Sequence, residues 1–181
     1  MRSGVTISPF FYEVVPGRLL AGRYPSDLDL GTAQAKLNSL LDRGVTSFVD
    51  LMEEGETNYD GIKFASYDQL LSQLTAERGL KARYTRIPIR DVDIPPVVTM
   101  RKILDTISGA NAGGSGVYVH CRGGIGRTGT VVGCYLVEQG LKPEEALAKI
   151  PELRRGLPVL SSPETGAQRR FVLQWRKRGT G

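Results

Sequence analysis

"YVHCRGGIGRTGTVV", Tyr118 to Val132, is the stretch that decides the fold, and it admits two readings. Gly124, Gly126 and Gly129 have the G-x-G-x-x-G spacing of a dinucleotide-binding turn. Cys121, five further residues and Arg127 instead put a thiol and a guanidinium at the two ends of one small-residue loop. Both patterns cradle phosphate, so context has to separate them. A dinucleotide turn belongs in the first βαβ unit, with more parallel strands after it. Here the motif comes late, and everything after Gly140 reads as helical. The lysine of a G-x-x-x-x-G-K-S/T nucleotide loop is also missing. The loop with a thiol at its base is the reading that survives.

Working outward, "GVYVHC" reads as the strand that delivers Cys121, and "TGTVVGCYLVEQG" as the helix that follows. "GRLLAGRYP", "VTSFVDL" and "ARYTRIPI" are three further strand candidates. "AQAKLNSLLDRG" spaces Ala33, Leu37, Leu40 and Leu41 for one helix face and closes at Gly44, and "SYDQLLSQLTAERG" is a second helix. "RDVDIPP" makes a proline-punctuated loop before "VVTMRKILDTISG", a helix predicted to turn Val98, Ile103, Leu104 and Ile107 inward. "KPEEALAKIPELRR" and "SPETGAQRRFVLQWRKR" are predicted as two more helices, each with proline near its start and acidic residues in its first turn. Strands alternating with helices imply an α/β fold with a central, mostly parallel sheet flanked by helices. No repeat or linker interrupts residues 1–181, which read as one domain.

Composition limits the chemistry. The 24 Lys and Arg against 19 Asp and Glu give a net charge of +5, which suits an anionic substrate without implying nucleic acid. With one histidine and two cysteines, a disulfide scaffold and a Cys/His zinc site are both excluded, and no metal or cofactor is expected. Cys134 lies along the helix from Cys121, more than about 10 Å away by helical rise, and reads as core packing. "MRSGVTISPFFYEVVPG" lacks the apolar run of a secretory signal, and no stretch approaches a membrane span, so the chain reads as cytoplasmic.

A cysteine at a strand end, before small residues and a helix N-terminus, faces backbone N–H groups and the positive end of the helix dipole. That setting favours a thiolate. The loop amides from Arg122, Gly123, Gly124, Ile125 and Gly126 are then aimed at the oxygens of a phosphoryl group, and the glycines let the backbone close around it. Arg127 supplies a planar fork for two of those oxygens. Thr128 brings a hydroxyl near the sulfur, and His120 sits behind the loop, either supporting Cys121 by hydrogen bonding or simply satisfied in the core.

With these residues in place, "HCRGGIGRTG" resembles the H-C-x5-R-S/T-G signature of the Cys-based protein tyrosine phosphatase superfamily, nearest its dual-specificity and cell-cycle branch. The resemblance covers most of the chain, with "GRLLAGRYP" and "VTSFVDL" matching the branch's first strands and "RIPIRD" its acid loop. It implies a phosphocysteine intermediate formed on Cys121 and a general acid in "PIRDVDIPP". Asp91 matches the family's P-I-x-D pattern, and Asp93 is the alternative. Gln168, in "QRRF", resembles a segment that positions the hydrolytic water in relatives. Glu164 stands where some of them have another glutamine, and the competing reading is a helix packing Phe171, Val172 and Trp175 on the core.

The resemblance implies a phosphorylated protein substrate, phosphotyrosine with or without phosphoserine and phosphothreonine, because a deep tyrosine-gripping segment is absent. Phosphoinositide or RNA 5′-phosphate hydrolysis on the same fold is the alternative, as is a silent phosphate-binding module. Ile125 stands where the phosphoinositide enzyme has lysine, which leaves the loop less cationic. A sulfur transferase would have no use for the Arg-Thr-Gly run. Basic "RRFVLQWRKR" reads as a solvated helix face, no nucleic-acid partner is expected, and the oligomeric state stays open.

Overall fold

The computed structural model describes residues 8–58 and 60–179; the first seven residues of the N-terminal stretch weighed as a signal lie outside that range. In chain order the elements are β1 (Phe11–Val15), β2 (Leu19–Gly22), α1 (Leu30–Leu41), β3 (Val45–Asp50), α2 (Asp68–Glu77) and β4 (Arg83–Arg86). Then come α3 (Val97–Ala112), β5 (Gly116–His120), α4 (Gly126–Glu138), α5 (Pro143–Leu153) and α6 (Gly166–Gln174). The strands form one sheet in the order β1-β2-β5-β3-β4, antiparallel only between β1 and β2. The expected α/β architecture, a mostly parallel sheet between helices, is the one observed.

β5 is the middle strand, buried at all five residues, as a parallel strand covered on both faces must be. Its alternating side chains serve two cores. Val117 and Val119 join the α3, α4, α5 and α6 side with Met100, Ile103, Val131 and Val172. Tyr118 faces the α1 and α2 side with Phe48, Leu37 and Leu71. Because α1 and α2, which follow β2 and β3, pack on one face of the sheet while α4, which follows the β5 between them, packs on the other, the carboxyl end of β5 is the switch point where α/β sheets open a crevice. The chain leaves the sheet there at Cys121.

α4 runs under that crevice and is buried from Gly126 to Val137, as its apolar sequence demands. Its glycines allow close approach. A Cβ at Gly129 would lie 2.0 Å from the Ser162 Oγ, and one at Gly133 2.7 Å from Val172 Cγ2. The third glycine of the apparent dinucleotide pattern is therefore a packing residue for the segment leading into α6.

Three sequence expectations need correction. β1 was not anticipated; its outer position and short alternation, with only Tyr12 and Val14 buried, left a weak signal. Val98 does not face inward but is 74% exposed in the first turn of α3, whose buried face is Met100, Ile103, Leu104 and Ile107. α6 starts only at Gly166, capped by the Thr165 hydroxyl, so Pro163 and Glu164 precede the helix and its first turn carries no acid. Among the described residues no helix is long and apolar enough to cross a membrane.

Candidate active site

The loop from Cys121 to Ile125 is held in shape by bonds to its outward-facing carbonyls. Tyr24 N donates to Arg122 O at 3.2 Å, Arg154 Nη1 to Gly124 O at 2.6 Å, and Ser162 Oγ to Ile125 O at 2.6 Å. Gly124 has φ +67°, and a Cβ there would fall 2.3 Å from the Gly22 carbonyl carbon, so only glycine fits. Its N–H turns the other way and donates to Cys121 Sγ at 3.3 Å. Ile125 offers no side-chain cap to α4, which leaves the first N–H groups of that helix without a side-chain acceptor beside the thiol. Such a concavity suits a tetrahedral anion.

Arg127 closes the loop and is 1% exposed. Nη1 donates to Glu56 Oε1 at 2.5 Å and to Ile89 O at 3.1 Å, and Nη2 reaches Glu56 Oε2 at 2.9 Å and Asp91 Oδ1 at 3.0 Å. Burial opposes the guanidinium charge. The Glu56 bond and the Cys121, Glu56 and Asp91 charges outweigh it, holding Arg127 above its ordinary pKa. Two polar atoms at this point are buried without any partner, Arg127 Nε and Thr128 Oγ1. Buried polar groups are paired in the great majority of structures, and of these two residues Arg127 lines the cleft over Cys121, where a ligand would meet it.

Asp91 lines the cleft together with Cys121, Arg122, Gly123, Ile125, Gly126, Arg127 and Glu164. Its Oδ2 accepts from Arg122 Nη2 at 2.6 Å, so the carboxylate bridges two guanidinium groups over the loop. Asp93 lies outside this cleft, with Oδ1 accepting from Ile94 N at 2.8 Å. Between the two, Val92 holds φ +56°, a conformation that branched residues avoid. Gln168 is fully buried and its amide is occupied: Oε1 accepts from Glu164 N and Thr165 N, each at 3.1 Å, and Nε2 donates to Asp93 O at 3.2 Å. It ties the end of α6 to the Asp93 loop. Of the three residues in the helix-packing alternative, Val172 and Trp175 are buried and Phe171 is partly buried against the same core.

His120 is fully buried behind the loop. Nε2 lies 2.7 Å from Tyr67 Oη, and Nδ1 lies 3.4 Å from the Cys121 main-chain oxygen rather than against the sulfur. Burial pushes its pKa down, against the pull of Asp50. Cys134 is buried in the core, and burial drives its thiol well above the usual range. Among the described residues no group of three His, Cys, Asp or Glu side chains is placed to hold a metal ion.

Sequence reasoning missed Glu56, Arg154, Ser162 and Tyr67. A signal existed for the first: Glu53, Glu54 and Glu56 follow directly on the carboxyl end of β3, the edge where α/β sheets bind ligands.

Residues 8–172 match the PTP-SAK family model, described as a Swiss Army Knife protein, DSP-PTPase phosphatase domain. A protein of Invertebrate iridescent virus 3 that bears a tyrosine phosphatase name, 067L, is 27% identical over 170 residues, covering 87% of this chain and 62% of its own. The Mus musculus phosphatidylglycerophosphatase and protein-tyrosine phosphatase 1 is 28% identical over 127 residues, 68% of this chain and 60% of its own. The chain thus spans about three fifths of the length of these curated relatives. Tk-PTP in its active form superposes with a TM-score of 0.63 at 29% identity, over 92% of this chain and 95% of that one.

Proposed function

The chain belongs to the PTP-SAK family of DSP-PTPase phosphatase domains, and on that premise we propose that it hydrolyses phosphotyrosine esters in proteins, with or without phosphoserine and phosphothreonine, through a phosphocysteine intermediate. Cys121 attacks phosphorus, the S–P bond forms as the ester P–O bond breaks, and Asp91 gives its proton to the departing oxygen. Water then attacks the phosphocysteine with Asp91 as base, and the S–P bond breaks to release phosphate and the thiolate. Arg127 Nε and the amides of residues 122–126 hold the phosphoryl oxygens in both steps. Thr128 Oγ1 donates to the thiolate as it leaves. His120 acts through position alone, and Gln168 steadies the acid loop.

One observation carries the reading most of the way. Every other nitrogen of the buried Arg127 guanidinium is bonded, while Nε and the neighbouring Thr128 hydroxyl have no partner beside the Cys121 loop. An incoming phosphate dianion meets Nε and displaces Asp91 from Arg127, freeing that carboxyl to carry the proton the leaving oxygen needs, while the Thr128 hydroxyl is left for the sulfur.

The test is phosphate release by wild type and Cys121→Ser, with EDTA present, from phosphotyrosine peptide, phosphoserine peptide, phosphoinositide and 5′-triphosphate RNA. Release from phosphotyrosine peptide that the variant abolishes is the expected result. Activity confined to lipid or RNA would keep the chemistry and reject the substrate, and activity surviving in Cys121→Ser would reject the mechanism.

A further inference from the structure

A second, larger cavity of about 740 Å³ lies beside the cleft over Cys121. The two share Arg122, Gly123 and Ile125, so a substrate phosphorylated at the first extends naturally over that rim into the second. The volume is that of a ligand site rather than a packing void. Its walls come from the segment after β2, from residues 62–65 and from the turn after α5.

The lining has two characters. One is apolar: Tyr24 and Phe64 pack against each other with centroids 4.7 Å apart and their planes tilted by 53°, and Leu28, Ile62, Leu157 and Val159 complete the surface. Tyr24 Oη donates to Ala65 O at 2.6 Å, which fixes that wall to the loop beneath it. The other character is positive charge. Arg23 and Lys63 stand exposed at the rim, and Arg122 stands between the two cavities, held by Asp91. Arg154 is already spent on Gly124 O and Val159 O, and the acid in the lining, Asp27, is paired with Lys36 at 2.8 Å. What a ligand meets is therefore an aromatic and aliphatic trough with cations along its edge.

We propose that this cavity receives the polypeptide segment flanking the phosphotyrosine, and selects segments in which acidic side chains alternate with apolar ones. The inference rests on the phosphotyrosine reading above and deepens it. Acidic groups pair with Arg23 and Lys63 at the rim while apolar side chains cover Tyr24 and Phe64. A polyphosphorylated ring satisfies only half of this surface, since it has charge for the rim but no apolar groups for the walls. A peptide of mixed character satisfies both.

The experiment compares two phosphotyrosine peptides, one with Glu and Leu around the phosphotyrosine and one with Lys in place of Glu. The proteins are wild type, Arg23→Glu, Lys63→Glu and the double variant, with p-nitrophenyl phosphate as a substrate too small to reach the cavity. Wild type is expected to show a lower KM for the acidic peptide, and the double variant to raise that KM about tenfold, with less effect at high salt. Its kcat, and its kinetics on p-nitrophenyl phosphate, stay within about twofold. Binding of the same peptides to Cys121→Ser, followed by fluorescence anisotropy, reads the cavity without turnover. Equal KM and Kd for the two peptides, or inositol polyphosphate competing better than the acidic peptide, would overturn the assignment. If no phosphotyrosine substrate turns over but Cys121→Ser still prefers the acidic peptide through Arg23 and Lys63, the enzyme reading fails and the cavity assignment stands.

Discussion

Arg127 and Glu56, 71 residues apart in sequence, share a bidentate ion pair, with Nη1 to Oε1 at 2.5 Å and Nη2 to Oε2 at 2.9 Å. The guanidinium is 1% exposed and the carboxylate 14%. The pair fixes the plane of the fork and leaves Nε to point elsewhere without a partner. Glu56→Gln preserves shape and removes the charge. Because a hydrogen bond to a charged group contributes about 1.5–3 kcal/mol, kcat/KM is expected to fall roughly 10- to 100-fold, with a lower thermal midpoint. An unchanged rate would mean that Arg127 is positioned by the carbonyls of Ile89 and Leu51 alone, to which Nη1 donates at 3.1 and 3.5 Å.

Asp91 spans Arg122 and Arg127, while Asp93 only caps its own turn. Asp91→Ala is expected to slow hydrolysis of esters with poor leaving groups by about 10²- to 10⁴-fold, and of activated aryl phosphates far less. The same variant vacates one side of Arg127, so inorganic phosphate should inhibit it at lower concentration than wild type. If Asp93→Ala shows the leaving-group pattern and Asp91→Ala does not, the acid has been assigned to the wrong residue.

How much of this was readable in sequence depends on distance along the chain. The strand, the glycines and the helix around Cys121 follow one another without a break from Gly116 to Glu138, so local propensity and spacing disclose them. Asp91 was singled out only through its match to the family's P-I-x-D pattern, and the structure puts its carboxylate at the cleft over Cys121. Glu56 and Arg154 were not legible, because their partners are 71 and 30 residues away and nothing local separates them from surface charges. Val98 was misplaced because helical spacing fits more than one face at a first turn, where only tertiary packing on Met100 and Ile103 decides which is inside. The aromatic cavity beside the loop is built from several separate segments and left no signature in any one of them.

Val92 holds a left-handed backbone at φ +56° between the two aspartates and is 56% exposed. Such strain costs on the order of 1–3 kcal/mol and little side-chain packing offsets it. Val92→Gly removes the strain and gives up some chain entropy, so urea denaturation should show stability unchanged or raised by up to about 1 kcal/mol. The freed loop should hold Asp91 less firmly, lowering kcat several-fold on phosphotyrosine peptide. A loss of stability above about 1 kcal/mol would show that the conformation is not strained.

His120 is the single histidine in the sequence, so its titration can be read without interference from another. It is buried, and burial, opposed by Asp50 with Nδ1 to Oδ1 at 3.9 Å, lowers its pKa in the folded protein. The unfolded chain takes up a proton near the ordinary value of about 6.5, whereas the folded protein resists until lower pH. Unfolding therefore binds a proton between those two values. The stability is fully present above about pH 6.5 and is lost as pH falls below it, at no more than about 1.4 kcal/mol per unit. Urea midpoints between pH 7.5 and 5.5 should fall in wild type and fall less steeply in His120→Gln, whose amide can still meet the Tyr67 hydroxyl. Parallel curves would mean that folding leaves the His120 pKa unshifted, and a wild type that gains stability on acidification relative to His120→Gln would mean that Asp50 outweighs burial.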